Sequence, residues 1–248
     1  MFKRPLTKFL LSVCVVASLA ACTRQNAPAG PNDPYEGFNR KTHNFNKAVD
    51  KNVLRPVAVA YSDTVPDDFE LIIQNFASNL TVPGDVINQI LQGNIEGAVT
   101  NAIKFVMNTT IGLGGIATPA AEFGIDGGKT DFGETLHVWG AAEGPYVELP
   151  LLGPSTERDA IGKVIDTLID PIGNLVTLPD QRYVTGAKVG SFMTTRGQRP
   201  GMFDSVLYES ADSYSQTQMF YLQNRRFKLG ATPQDGNVDP YGEIYSNE

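Results

Sequence analysis

The stretch PDDFELIIQNFASNL, residues 66–80, decides the fold class, because its apolar residues recur at helical spacing. Most of its apolar residues lie three or four positions apart, the spacing typical of one face of an α-helix. They are Phe69, Ile72, Ile73, Phe76 and Leu80. The stretch begins with a proline and two aspartates, residue types that suit the positive N-terminal end of a helix. We expect this helix to end before Pro83, which lacks a backbone N–H.

The same periodicity continues on both sides of this stretch. Residues 38–53 carry an apolar stripe that is expected to stop before Pro56, and residues 86–91 and 95–107 predict two more helices, the last ending near Gly112. Further helices are expected at 155–168, with Ser155 as its cap, at 181–195 and at 203–228. Apolar and polar residues alternate only over stretches too short to predict a sheet, so the predicted class is all-α.

Two segments do not fit a helical interpretation. Residues 105–121 (FVMNTTIGLGGIATPAA) and 141–154 (AAEGPYVELPLLGP) are apolar but interrupted by glycine and proline. Such interruptions argue against a membrane-spanning helix, because backbone in hydrocarbon must bond to itself. Two alternatives remain: buried loops that pack on the core, or an apolar rim or hairpin embedded in one leaflet of a membrane.

The N-terminus predicts a bacterial lipoprotein signal. Lys3, Arg4 and Lys8 precede an apolar run of 13 residues, 9–21, which is long enough for a signal peptide and too short to span a bilayer. Small residues then precede Cys22, as in a lipobox. We therefore expect four parts: a cleaved signal peptide (1–21), a tether lipidated on Cys22 (22–33), a single helical domain (34–229) and a disordered tail (230–248).

Composition excludes several classes of function. Removal of the signal peptide leaves 17 basic and 27 acidic residues, which gives no electrostatic reason to bind nucleic acid. The two cysteines are Cys14, within the signal, and Cys22, so the predicted mature chain has no thiol for catalysis. The two histidines, His43 and His137, stand in no metal-binding motif, and no G-x-S-x-G elbow occurs. We expect neither enzyme activity nor a metal site.

Ten short motifs follow one another along the chain between 33 and 228. They are DPYEGFNR (33–40), NFN (44–46), LRPVA (54–58), DFGETL (131–136), WG (139–140), GPY (144–146), LPLLGPS (149–155), RD (158–159), LYES (207–210) and QNRR (223–226). In this order they resemble the MlaA (VacJ) family of lipoproteins, and the resemblance covers most of the chain.

This resemblance implies a monotopic helical disc or ring in the inner leaflet of the outer membrane, with an amphipathic central passage. It implies that phospholipids misplaced in the outer leaflet leave through the passage to a soluble, MlaC-like periplasmic carrier, which keeps the membrane asymmetric. It also implies association with trimeric porins and no cofactor. The alternatives are a structural, porin-associated lipoprotein without transport and a lipid hydrolase, which would need a nucleophile beside His43 or His137.

Three sets of residues are expected to serve this role. Gly140, Gly144 and Gly153 would act as hinges for the apolar stretch between them, which would open and close the passage. The residues of this stretch expected to form the gate are Tyr146, Leu149, Leu151 and Leu152. The alternative is that these glycines serve tight turns. The first helix would lie near the passage through Asn44, Phe45 and Asn46. Cationic groups that could contact a phosphate headgroup, or form ordinary salt bridges instead, are Arg158, Arg182 and Lys188.

Overall fold

The computed structural model of the protein describes residues 31–175 and 181–230. The predicted signal peptide, Cys22 and the segment from 231 onward lie outside the described residues, as does most of the tether. The described part is built of helices with one two-stranded hairpin, which confirms the all-α class.

The helices of the described part are, in chain order, α1 (Glu36–Val49), α2 (Arg55–Thr64), α3 (Asp67–Leu91), α4 (Ile95–Thr110), α5 (Pro119–Glu122), α6 (Phe132–Val138), α7 (Glu157–Ile169), α8 (Pro171–Leu175), α9 (Gln181–Gln198), α10 (Pro200–Asp204) and α11 (Ser213–Lys228). A 3-10 turn covers Leu113–Gly115, and π-helical turns cover Asp50–Leu54 and Ser205–Glu209. The hairpin strands are β1 (Tyr146–Leu149) and β2 (Gly153–Thr156), paired antiparallel.

Side-chain caps fix several helix starts. The Asn94 side chain accepts a hydrogen bond from the Gly97 amide at the start of α4, and Asp131 accepts one from Glu134 at the start of α6. The predicted cap Ser155 is wrong by one residue: Thr156 accepts from the Asp159 amide and caps α7. Ser155 belongs instead to strand β2.

Proline ends neither of the two helices that it was expected to end. Pro56 lies in the first turn of α2, which follows α1 through the π-helical turn, and a missing N–H is tolerated there. Pro83 lies inside α3, which continues to Leu91 because it packs on both α4 and α9. The single helix expected at 203–228 is also wrong, since the chain leaves helical geometry at Ser210 before α11 begins.

Packing centres on α3, which contacts α4 and α9, while α9 also contacts α2 and α6 packs on α7. The α6–α7 contact is close: a Cβ at Gly162 would come within 2.4 Å of the Gly133 nitrogen. The buried apolar cluster is small and comprises Tyr146, Tyr214 and Leu222. Among the described residues, no helix has both the length and the apolar character needed to cross a membrane.

Candidate functional site

Helix α4 turns its apolar side chains outward and its polar side chains inward. Its exposed stripe, at helical spacing and 46–60% exposed, consists of Ile95, Val99, Ile103 and Val106. On the opposite face, Asn101 and Asn108 are 1% and 2% exposed. A surface helix of a water-soluble protein has the reverse arrangement. The periodicity read from the sequence is therefore present, but this stripe faces away from the protein.

The same inversion occurs on α7 and, in part, on α3. Helix α7 exposes Ile161, Val164 and Leu168 and buries Arg158 and Asp159. Helix α3 exposes apolar residues at its two ends, and the other members of its predicted stripe are half-buried. Its exposed apolar residues are Phe69, Leu71, Ile90 and Leu91, and its buried polar residues are Glu70, Asn79, Asp85, Asn88 and Gln89. Apolar surface repeated over several helices marks a surface that meets lipid or another protein.

The apolar loops add to this outer surface. After α4, the residues Ile111, Leu113 and Ile116 are 68%, 74% and 44% exposed. At the hairpin tip, Leu151 and Leu152 are each 67% exposed. The alternative of buried loops is wrong for these five residues. It holds for the base of the hairpin, where Tyr146 is buried against α11.

Helix α1 satisfies the free edge of strand β1 with two asparagines. Asn39 donates to the Tyr146 carbonyl oxygen at 3.0 Å and accepts from the Glu148 amide at 2.9 Å. Two helical turns on, Asn46 donates to the Leu149 carbonyl oxygen at 3.0 Å and accepts from the Leu151 amide at 2.7 Å. These side chains replace the partner that an edge strand lacks, so α1 fixes the position of the hairpin.

Of the residues predicted to lie near a passage, Asn46 is therefore the one on the hairpin, whereas Asn44 and Phe45 are exposed on α1. The predicted hinge glycines all have positive φ: +87° at Gly140 and +73° at both Gly144 and Gly153. These angles suit tight turns and hinges alike.

The residue at the hairpin tip is strained. Leu151 has a φ of +64°, which costs a non-glycine residue about 1–2 kcal/mol. The hydrogen bond from its amide to Asn46 fixes the backbone in this conformation.

His43 forms contacts that the sequence does not reveal. Its Nδ1 lies 3.1 and 3.2 Å from the two carboxylate oxygens of Glu148, and its Nε2 lies 3.0 Å from Ser213 Oγ. The imidazole and the carboxylate are each about 2% exposed. The partners lie 105 and 170 positions away in the chain, so no local motif could have identified them.

Ion pairs of the buried Arg225 connect α11 to the starts of α6 and α7. Arg225 donates to both Asp131 oxygens at 2.7 Å and to Asp159 at 2.9 Å. Burial alone would raise the pKa of Asp131, but the Arg225 guanidinium outweighs it and lowers this pKa to about 2. A second buried guanidinium, Arg196, bonds both oxygens of Asp50.

A polar cavity of about 500 Å³ lies between α3 and α9. The side chains described around it are Gln74, Asn75, Ala77, Ser78, Thr81, Lys129, Lys188, Ser191, Thr195, Gln198 and Arg199. Among the described residues, this lining holds three cationic groups and no carboxylate of its own; Lys188 is paired with Asp170, so Lys129 and Arg199 supply the positive charge that favours an anionic ligand.

The three predicted headgroup contacts lie in different surroundings. Lys188 lines the cavity and pairs with Asp170 at 3.0 Å. Arg182 is exposed and stacks on Tyr183, with 5.0 Å between the guanidinium carbon and the ring centre. Arg158 is 5% exposed and lies 3.3 Å from His137 Nδ1, so it faces the protein interior.

The family model described as "MlaA lipoprotein" matches residues 31–228. The chain belongs to the MlaA lipoprotein family. The "Intermembrane phospholipid transport system lipoprotein MlaA" of Escherichia coli is 35% identical over 80% of this chain and 78% of its own length. An uncharacterized protein of Rickettsia typhi is 34% identical over 73% of this chain and 72% of its own length.

A solved structure described as "Structural basis for maintenance of bacterial outer membrane lipid asymmetry" superposes on this MlaA family member with a TM-score of 0.68. Its sequence is 34% identical, and the match covers 79% of this chain and 98% of that one. The resemblance read from the sequence motifs is thereby confirmed.

Proposed function

We propose that this protein removes misplaced phospholipids from the outer leaflet of the outer membrane and passes them to a soluble periplasmic carrier of the MlaC-like kind. The observation that carries the proposal is the inverted polarity of α3, α4 and α7, with apolar side chains outside and polar side chains inside. The Escherichia coli relative, named as a lipoprotein of an intermembrane phospholipid transport system, agrees with it.

The apolar exterior suits a protein that lies in one leaflet. Each apolar side chain transferred from water to hydrocarbon is stabilised by about 25 cal/mol per Å² of surface. We expect acyl chains on Cys22 to hold the protein at the periplasmic side of the outer membrane, since several chains together give a durable anchor. Part of the apolar surface would then contact a trimeric porin.

The cavity between α3 and α9 offers the route for the headgroup. Lys129 and Arg199 supply positive charge beside hydroxyl and amide groups, while Lys188 is shared with Asp170, which suits a phosphodiester moving past without tight binding. The acyl chains would follow the apolar exterior, and the tip leucines Leu151 and Leu152 would control access. Passage itself makes and breaks no covalent bond and requires no cofactor.

The test is the phospholipid content of the outer leaflet in cells that lack the protein, compared with cells that carry Cys22→Ala. Accumulation in both would support removal of lipid by the anchored protein. An unchanged leaflet in the deletion strain would favour a porin-associated scaffold without transport.

The route is tested by Arg199→Glu, which reverses one charge of the cavity. Its matched control is Lys41→Glu, a charge reversal at an exposed position of α1. We expect accumulation of outer-leaflet phospholipid with Arg199→Glu alone. Equal behaviour of the two variants would count against this cavity as the route.

A further inference from the structure

Ser213, His43 and Glu148 form a hydrogen-bonded chain of a nucleophile, a base and an acid. Ser213 Oγ lies 3.0 Å from His43 Nε2, and His43 Nδ1 lies 3.1 Å from the nearer Glu148 oxygen. The three residues come from α11, α1 and β1, so folding brings them together. Lipid passage does not use the chemistry of this arrangement, although its contacts also join strand β1 to α1 and α11.

The contacts of His43 fit one tautomer of a neutral ring. With the proton on Nδ1, where the Glu148 carboxylate accepts it, the lone pair on Nε2 is free. That lone pair accepts the Ser213 hydroxyl proton. This is the tautomer that a histidine needs to act as the base for a serine. Asn46 and Tyr146 also donate to Glu148, at 3.3 Å each, and orient the carboxylate.

The chain runs from the interior to the surface. Glu148 and His43 are buried, whereas Ser213 is half-buried. The Lys47 ammonium lies 3.1 Å from Ser213 Oγ and could stabilise negative charge that develops beside it. The Tyr214 and Ser215 amides are already bonded to Asp212, so Lys47 is the donor placed for this role.

We infer that Ser213, His43 and Glu148 form a serine-esterase site that acts on acyl esters of phospholipids. Ser213 Oγ attacks the ester carbonyl while His43 takes the hydroxyl proton, and His43 then returns it to the departing lysophospholipid oxygen. Water hydrolyses the acyl-serine and releases the fatty acid, with His43 again taking and returning the proton. The choice of a phospholipid ester as the substrate rests on the proposed function. The arrangement of Ser213, His43 and Glu148 is observed independently of that function.

The test is covalent labelling of the detergent-solubilised full chain by a fluorophosphonate, with the labelled residue identified by mass spectrometry. We expect one label on Ser213, lost in Ser213→Ala and slowed about 100-fold or more in His43→Gln, the range typical of a general base. The control is Ser210→Ala, since Ser210 bonds only within its own helical turn, to the Val206 carbonyl oxygen. This variant should label as the natural protein does.

Absence of labelling in the natural protein, or undiminished labelling in folded His43→Gln, would overturn the assignment. A second readout is fatty acid released from phosphatidylethanolamine and phosphatidylglycerol vesicles. Release that depends on Ser213 supports the phospholipid substrate, and labelling without release refutes it. Normal outer-leaflet composition in cells with Ser213→Ala would leave lipid transport standing and separate the two proposals.

Discussion

The contact between Asn46 and the hairpin tip gives a quantitative prediction. Asn46→Ala removes a hydrogen bond to the Leu149 carbonyl oxygen, one from the Leu151 amide and a longer one, 3.3 Å, to the Glu148 carboxylate. At about 1 kcal/mol for each of the two bonds to the backbone of the tip, partly offset by water because the tip is exposed, the loss there is about 1–2 kcal/mol. The strained backbone of Leu151 then loses its partner. The population of the opened tip should rise by roughly 5- to 30-fold.

Hydrogen exchange of the hairpin, followed by mass spectrometry on peptides that contain residues 146–156, measures this directly. Asn46→Ala should accelerate exchange at Leu151 while α3 and α4 exchange as before. Asn44→Ala is the control, because Asn44 is exposed on the same helix. Unchanged exchange in Asn46→Ala, or equal acceleration in both variants, would refute the assignment of α1 as the support of the tip.

Three further predictions concern stability in denaturant unfolding. Burial raises the pKa of Asp85 from 3.8 to about 6, so its ionisation lowers the free energy of unfolding as the pH rises from about 4 to above 6. Asp85→Asn should therefore add up to about 3 kcal/mol at pH 8 and progressively less down to pH 4. A gain that does not depend on pH would contradict this. Arg225→Met removes the closest cationic partner of buried Asp159 and of partly exposed Asp131, whose other cationic partners lie at 3.5 Å. It should cost about 1.5–3 kcal/mol, against less than about 1 for the partly exposed Arg40→Met; similar losses would be inconsistent with a buried role for Arg225. Gly162→Ala, whose Cβ would collide with the backbone of α6, should cost about 1–3 kcal/mol, whereas Gly186→Ala in open space on α9 should not destabilise.

The sequence predicts most helices but not the direction in which their apolar stripes face. Ile95, Val99 and Ile103 have the spacing of a core-facing stripe, and the structure exposes all three. Periodicity reports that one face differs from the other, and it does not report whether protein or lipid lies beyond that face. The inward asparagines Asn101 and Asn108 were the available signal, since amides require partners when buried.

The candidate sites depend on contacts that are distant in sequence. Ser213 has no unusual neighbours in the chain, and its link to His43 exists because α11 packs beside α1. Pro83 was expected to end a helix from local chemistry alone, and tertiary packing on α4 and α9 overrides that preference. Local chemistry placed the start of α7 only to within one residue, since Thr156 rather than the predicted Ser155 caps it. The short helix α6, which Asp131 caps, was not predicted.

The proposed route, in which the phospholipid headgroup passes along the polar cavity between α3 and α9 while its acyl chains stay on the apolar exterior, is tested by filling the cavity. Ser191 lines it, and Ser191→Trp places a bulky side chain there. The measurement is outer-leaflet phospholipid in cells whose only copy carries this change, after the variant is found folded and at the natural level. The account predicts accumulation equal to that of the deletion strain. A leaflet as free of phospholipid as in cells with the natural protein would contradict it.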